Sequence, residues 1–110
     1  MRKGRIFKKN AERVNILGVD DNGLEETVAK GVRMLIVPLP LAPQEVVAAV
    51  RQAGRRVATL RANAVLEAPR NDIKRFHIIQ RADGTKWTML RDPLMFGGEQ
   101  QLELERQGIP

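Results

Sequence analysis

The stretch PQEVVAAVRQAGRRVATLR, Pro43 to Arg61, decides how this 110-residue chain is expected to fold. Read from its start, it predicts a helix over residues 43–53. Pro43 suits the first helical turn, Glu45 favours the positive end of the helix dipole and Arg51 the negative end. Val46, Val47, Val50 and Ala53 recur as an apolar stripe at helical period. Gly54 follows where a helix commonly ends in a residue of positive φ. Arg56-Val-Ala-Thr-Leu-Arg61 then has strand character, and strand, helix, glycine, strand is the pattern of a right-handed βαβ unit. A second reading makes Gly54 the turn of a helix-turn-helix. Leu60 and Ala64 would then share one face of a recognition helix, and the arginines would lie near a DNA groove. Strand is preferred for residues 56–60, because Val57-Ala-Thr-Leu60 suits a pleated surface at least as well.

Working outward, Val32 to Val37 is an apolar run of strand length, ended by Pro38, Pro40 and Pro43. Arg13 to Val19 reads as another strand, closed by the turn signal Asp20-Asp-Asn-Gly23. Leu24 to Lys30 suits either a two-turn helix capped by Gly31 or the return strand of a hairpin. The hairpin is favoured, since a seven-residue helix is marginal. Ile16 to Gly23 resembles the first strand and acidic pair of response-regulator receiver domains. No aspartate follows the strands ending at Val37 or Arg61, so the acidic pair is read as a turn.

On the other side, a hairpin is predicted at residues 73–90. A two-residue turn at Asp83-Gly84 would pair Gln80 with Trp87 and Ile78 with Met89, placing Phe76, Ile78, Trp87 and Met89 on one buried face. Met95-Phe-Gly-Gly98 reads as a breaker, and Glu99 to Gln107 as a weak helix or tail. The whole is expected to be an α+β domain. It would have a small mixed or mainly antiparallel sheet, one main helix (43–53) packed on it, and the hairpin at 73–90. A flexible basic arm (1–10) would precede a single domain (11–96), with a polar C-terminal tail or weak helix (97–110) after it.

Composition narrows the chemistry. There is no cysteine, serine or tyrosine and only one histidine, so the usual nucleophile–base pairs and zinc–thiolate sites cannot be assembled. His77 has no second histidine to share a metal with. No enzymatic activity, metal or cofactor is expected. No apolar run approaches the roughly 18–20 residues that span a bilayer, and a cytoplasmic location is the default reading.

The net charge of +6 is unevenly distributed: +5 over residues 1–13, −3 over 14–50, +7 over 51–91 and −3 over 92–110. Basic blocks of this kind are the footprint of a polyanion partner. The expected function is a small basic binding module associated with nucleic acid, DNA or RNA, through phosphate contacts. The candidate residues are Arg51, Arg55, Arg56 and Arg61 around the junction, with Lys74, Arg75, Arg81 and Lys86 on the hairpin. Lys74-Arg-Phe-His-Ile-Ile79 also resembles the base-stacking strand of RNA-recognition motifs, without their glycine and second aromatic. Phe76 and Trp87 are accordingly expected in the core. The alternative is a protein–protein assembly or adaptor subunit, homo-oligomers included, that uses a sheet edge or an apolar patch.

Overall fold

The computed structural model describes residues 10–40, 50–52 and 55–108, with the backbone alone for residues 50–52 and 55–57. They form eight strands: β1 (Glu12–Val19), β2 (Glu25–Pro38), β3 (Val50–Gln52), β4 (Arg55–Leu66), β5 (Ile78–Gln80), β6 (Lys86–Met89), β7 (Leu94–Phe96) and β8 (Glu99–Gly108). Every pairing between them is antiparallel. The chain is therefore not the α+β domain that its helical stripe suggests.

Six of the strands close on one another. β1 pairs with β2, β2 with β4, β4 with β8, β8 with β6, β6 with β5, and β5 returns to β1. The result is a small barrel whose interior is filled by side chains. β3 and β7 are short strands added outside the ring, on β4 and β8 respectively.

β4 shows why this sequence closes. From Ala58 to Leu66 its even-numbered residues (Ala58, Leu60, Ala62, Ala64, Leu66) turn inward, while Arg61 and Asn63 stay exposed. That strict period of two is the strand signature. β4 pairs with β2 along one edge and with β8 along the other, so its backbone groups are satisfied on both sides. The inward alanines leave room for larger partners. Ala62 stands opposite Leu104 and Ala64 opposite Leu102. Val14, Ile16, Met34, Ile79, Trp87 and Met89 complete the core from the other staves.

The helix expected over residues 43–53 is corrected by this pairing. Val50, Arg51 and Gln52 stand opposite Val57, Arg56 and Arg55. The valines that drew a helical stripe are β-branched and suit a strand at least as well. Residues 43–49 lie outside the described residues. The βαβ unit fails with the helix, since β2 and β4 run antiparallel. The recognition-helix reading fails too, because residues 56–60 lie within β4.

Glu25 to Lys30 belongs to β2, in a hairpin with β1. Asp20 Oδ1 accepts hydrogen bonds from Asn22 N and Leu24 N across the turn (both 2.9 Å). β2 runs on through Gly31, where Lys30 and Gly31 together oppose Asn15 in a bulge. Asn15 Oδ1 accepts from Gly31 N there (3.3 Å).

The β5–β6 hairpin has a different register from the expected one. Gln80 pairs with Lys86, Ile79 with Trp87 and Ile78 with Thr88. Arg81 N donates to Thr85 O (2.8 Å) and Gly84 N to Arg81 O (2.9 Å), so the loop is Ala82-Asp83-Gly84, three residues long. Gly84 has φ +89°, the left-handed step that a type I turn needs to rejoin the ladder. The one-residue shift exchanges faces. Ile79, Trp87 and Met89 are buried, whereas Phe76 is exposed.

The segment expected as a tail or weak helix is β8, which pairs with β4, β6 and β7. Gly97 and Gly98 both have positive φ (53° and 81°), as the two-residue type I′ hairpin turn requires. The dipeptide read as a breaker is the corner that brings β8 back into the barrel.

Candidate functional site

The eight candidate cations fall on two parts of the chain's fold: Arg51, Arg55, Arg56 and Arg61 on β3 and β4, and Lys74, Arg75, Arg81 and Lys86 on or just before the β5–β6 hairpin. In the β3–β4 hairpin the backbone register sets Arg51 opposite Arg56 and Arg55 opposite Gln52. Arg61 follows on the outer face of β4, opposite Glu105 of β8. Arg81 and Lys86, on the β5–β6 hairpin, are held by carboxylates. Arg81 Nε donates to Glu12 Oε2 at 3.0 Å, and Lys86 Nζ to Glu25 Oε1 at 2.7 Å. The Glu12 carboxylate keeps the Arg81 guanidinium above its usual pKa, against a smaller effect of burial. Further ion pairs join Arg33 to Glu67, Arg70 to Asp72 and Arg91 to Glu103. Four cations of residues 51–91, Arg70, Arg81, Lys86 and Arg91, are thus each paired with a carboxylate.

Lys74 and Arg75 are placed differently. They precede β5 in a turn in which His77 N donates to Lys74 O (3.1 Å). Phe76 is the third residue of this turn and has φ +72°, the only non-glycine residue of positive φ among those described. A turn with positive φ at that position is the type II geometry, normally filled by glycine or asparagine. An L-residue held there costs roughly 1–2 kcal/mol. Phe76 is also 61% exposed, and the Arg75 guanidinium lies over its ring, 4.5 Å from the centroid. Arg75 N donates to Asp92 Oδ1 (2.8 Å), which fixes the turn against the chain after β6.

Beneath Phe76 is a cavity of about 280 Å³, lined by Gly18, Val19, Glu26, Val28 and residues 74–77. Of these, His77 is buried. Its Nδ1 accepts from Lys74 N (3.3 Å). Burial, and then the Lys74 ammonium, push the imidazole below its ordinary pKa, and Asp72 opposes them weakly. The sign of the pH effect follows. The unfolded chain binds the proton more readily, so the full stability is present above pH about 6.5 and falls as the pH drops through that value. His77→Gln should flatten this slope in urea titrations between pH 7 and 5. An unchanged slope would place the titration elsewhere.

The other unexpected surface is β7. Among the described residues it pairs with β8 along one edge only, and Leu94, Met95 and Phe96 are 36%, 56% and 57% exposed. Nothing in the sequence marks this run as outward-facing, since Leu-Met-Phe reads as core. Its position next to Gly97-Gly98 was the available signal, because a two-residue hairpin needs a partner strand on each side.

Among the described residues no group of histidine and carboxylate side chains could hold a metal ion. No helix there is long and apolar enough to cross a membrane. No family model, curated protein or solved structure matches the chain.

Proposed function

We propose that the chain is a non-catalytic protein–protein assembly or adaptor module, which takes an extended segment of its partner onto the free edge of β7. The observation that carries this reading is the uncharged, exposed run Leu94-Met95-Phe96 on a strand that, among the described residues, is paired on one side only. Natural edge strands are usually guarded by lysine, proline or a bulge, and this one has none of them within it. In a two-residue hairpin the residues flanking the turn, here Phe96 and Glu99, exchange both hydrogen bonds. Met95, one step further, therefore directs its N–H and C=O to the open edge. An added strand finds one donor, one acceptor and apolar side chains on either side.

The ion pairs of Arg81 and Lys86 support this reading over a phosphate track along the β5–β6 hairpin, because each cation already has its carboxylate. The cytoplasmic location expected from the sequence is part of the same proposal.

A photo-crosslinking amino acid at Phe96 tests it in expressing cells. A discrete protein adduct is expected, and Met95→Lys in the same chain should abolish it, since a lysine on the edge disfavours strand addition. Adducts equally abundant from a crosslinker at Glu67, exposed just after β4, would sink the reading.

A further inference from the structure

We propose that the cavity beneath Phe76 binds a nucleotide unit, with the base stacked on the Phe76 ring and the phosphate held by Lys74. The proposal does not depend on the β7 edge. It returns to nucleic acid through Lys74 and Arg75, two of the eight cations expected from the sequence, joined here by Phe76, which the sequence placed in the core.

Three observations converge on this site. The first is the strain. Phe76 occupies a turn position made for glycine, and its ring is largely in solvent, so the fold's own packing does not account for the residue. Outliers of this kind cluster where a side chain must be presented. The second is the presentation itself. The Arg75 guanidinium lies over the ring, and Asp92 anchors the Arg75 backbone, so the aromatic is held in place before any ligand arrives. An exposed aromatic beside an arginine is a platform on which any base can stack.

The third is the cavity's chemistry. The Lys74 side chain has no carboxylate partner among the described residues, whereas the lysine and arginine of the neighbouring hairpin both do. Lys74 and Glu26 both line the cavity. The Lys74 ammonium attracts a phosphate, whereas the Glu26 carboxylate repels one and can accept from the exocyclic amino group of a base, which favours a ligand with its phosphate at Lys74 and its base at Glu26. Gly18 keeps the wall low. A Cβ there would come within 3.2 Å of Val28 Cγ2 and 3.6 Å of His77 Nε2. At about 280 Å³ the cavity suits one base with its phosphate, not a larger dinucleotide cofactor.

The test uses two probes at about 50 mM salt: adenosine monophosphate, and a labelled mixed-sequence DNA single strand of about 12 nucleotides. Wild-type protein should bind at least one of them. Binding of the strand alone identifies a single-stranded polymer as the source, and comparable binding of the mononucleotide identifies a free nucleotide. Phe76→Gly accepts the positive φ and removes the ring, so it should melt no lower than the wild type while weakening binding about tenfold or more. Phe76→Tyr should retain binding. Lys74→Gln, which leaves the turn alone, should lower the slope of log affinity against log salt for the strand by about 0.7. Binding of neither probe by the wild type overturns the proposal. So does a Phe76→Gly variant that binds as the wild type does, or a Lys74→Gln variant of unchanged slope.

Discussion

A chain cut after Gly98 should have no cooperative thermal transition and no dispersed amide spectrum. β8 is the stave that closes the barrel: it pairs with β4 over residues Gln101 to Gly108, with β6 at Leu104 and Glu105, and with β7 beyond Gly97-Gly98. Removing it opens the ring between β4 and β6 and exposes Ala62, Ala64, Trp87 and Met89 to water. It also leaves the backbone groups of two central strands unpaired, each a loss comparable to that of a hydrogen bond. No local element compensates, because the barrel is built from pairings far apart in sequence. A truncated chain that melts within a few degrees of the full chain would show that residues 99–108 are a tail after all.

The misreading of that segment has a physical cause. Leu102 and Leu104 are spaced as a strand requires, but the inward face of β8 begins with Gln100 and ends near Arg106, both polar. Gln100 is buried because its side-chain amide completes the backbone of Arg70. Oε1 accepts from Arg70 N (2.8 Å), and Nε2 donates to Arg70 O (2.7 Å). A partner 30 residues away makes this glutamine behave as core, and composition cannot reveal that. Arg106 reaches over the Trp87 ring, 5.2 Å from its centroid, and so also spends its length against the core.

The helix of residues 43–53 failed for the complementary reason. A helical stripe of valines is visible locally, but its last valine, Val50, lies in a strand, where Val50–Gln52 pair with Arg55–Val57. The turns read better. Asp20 to Gly23 and Asp83-Gly84 were recognisable from side chains that bond their own backbone. What remained hidden at Asp83-Gly84 was a single loop residue, which moved Phe76 from the expected core to the surface.

The candidate site was legible as a set of charges and not as an arrangement. Arg81 and Lys86 were visible as cations, but Glu12 and Glu25 lie 69 and 61 residues away along the chain. Only closure of β1 onto β5 makes them neighbours. Phe76 was missed because the turn Lys74–His77 lacks the glycine that usually announces positive φ.

The largest single-residue effect is expected at Leu104. Leu104→Ala should destabilise the fold by about 2–5 kcal/mol, at the upper end if the surrounding barrel cannot collapse onto the space. Leu104 is fully buried and stands between Ala62 on β4 and Met89 on β6, in a layer where a small residue faces a large one. Staves held on both edges by hydrogen bonds move toward a cavity less readily than a packed helix can shift. The geometry also makes a sharper claim than the size of the loss. Ala62→Leu alone should destabilise by about 1–3 kcal/mol through overpacking. The double variant Ala62→Leu with Leu104→Ala restores the volume from the opposite stave, so it should be more stable than the sum of the two losses implies. A coupling of about 1 kcal/mol or more, read from urea unfolding of the four proteins, is the expected result. Strict additivity would mean that Ala62 and Leu104 do not share a layer, and with it the pairing of β4 and β8 that closes the barrel would be wrong.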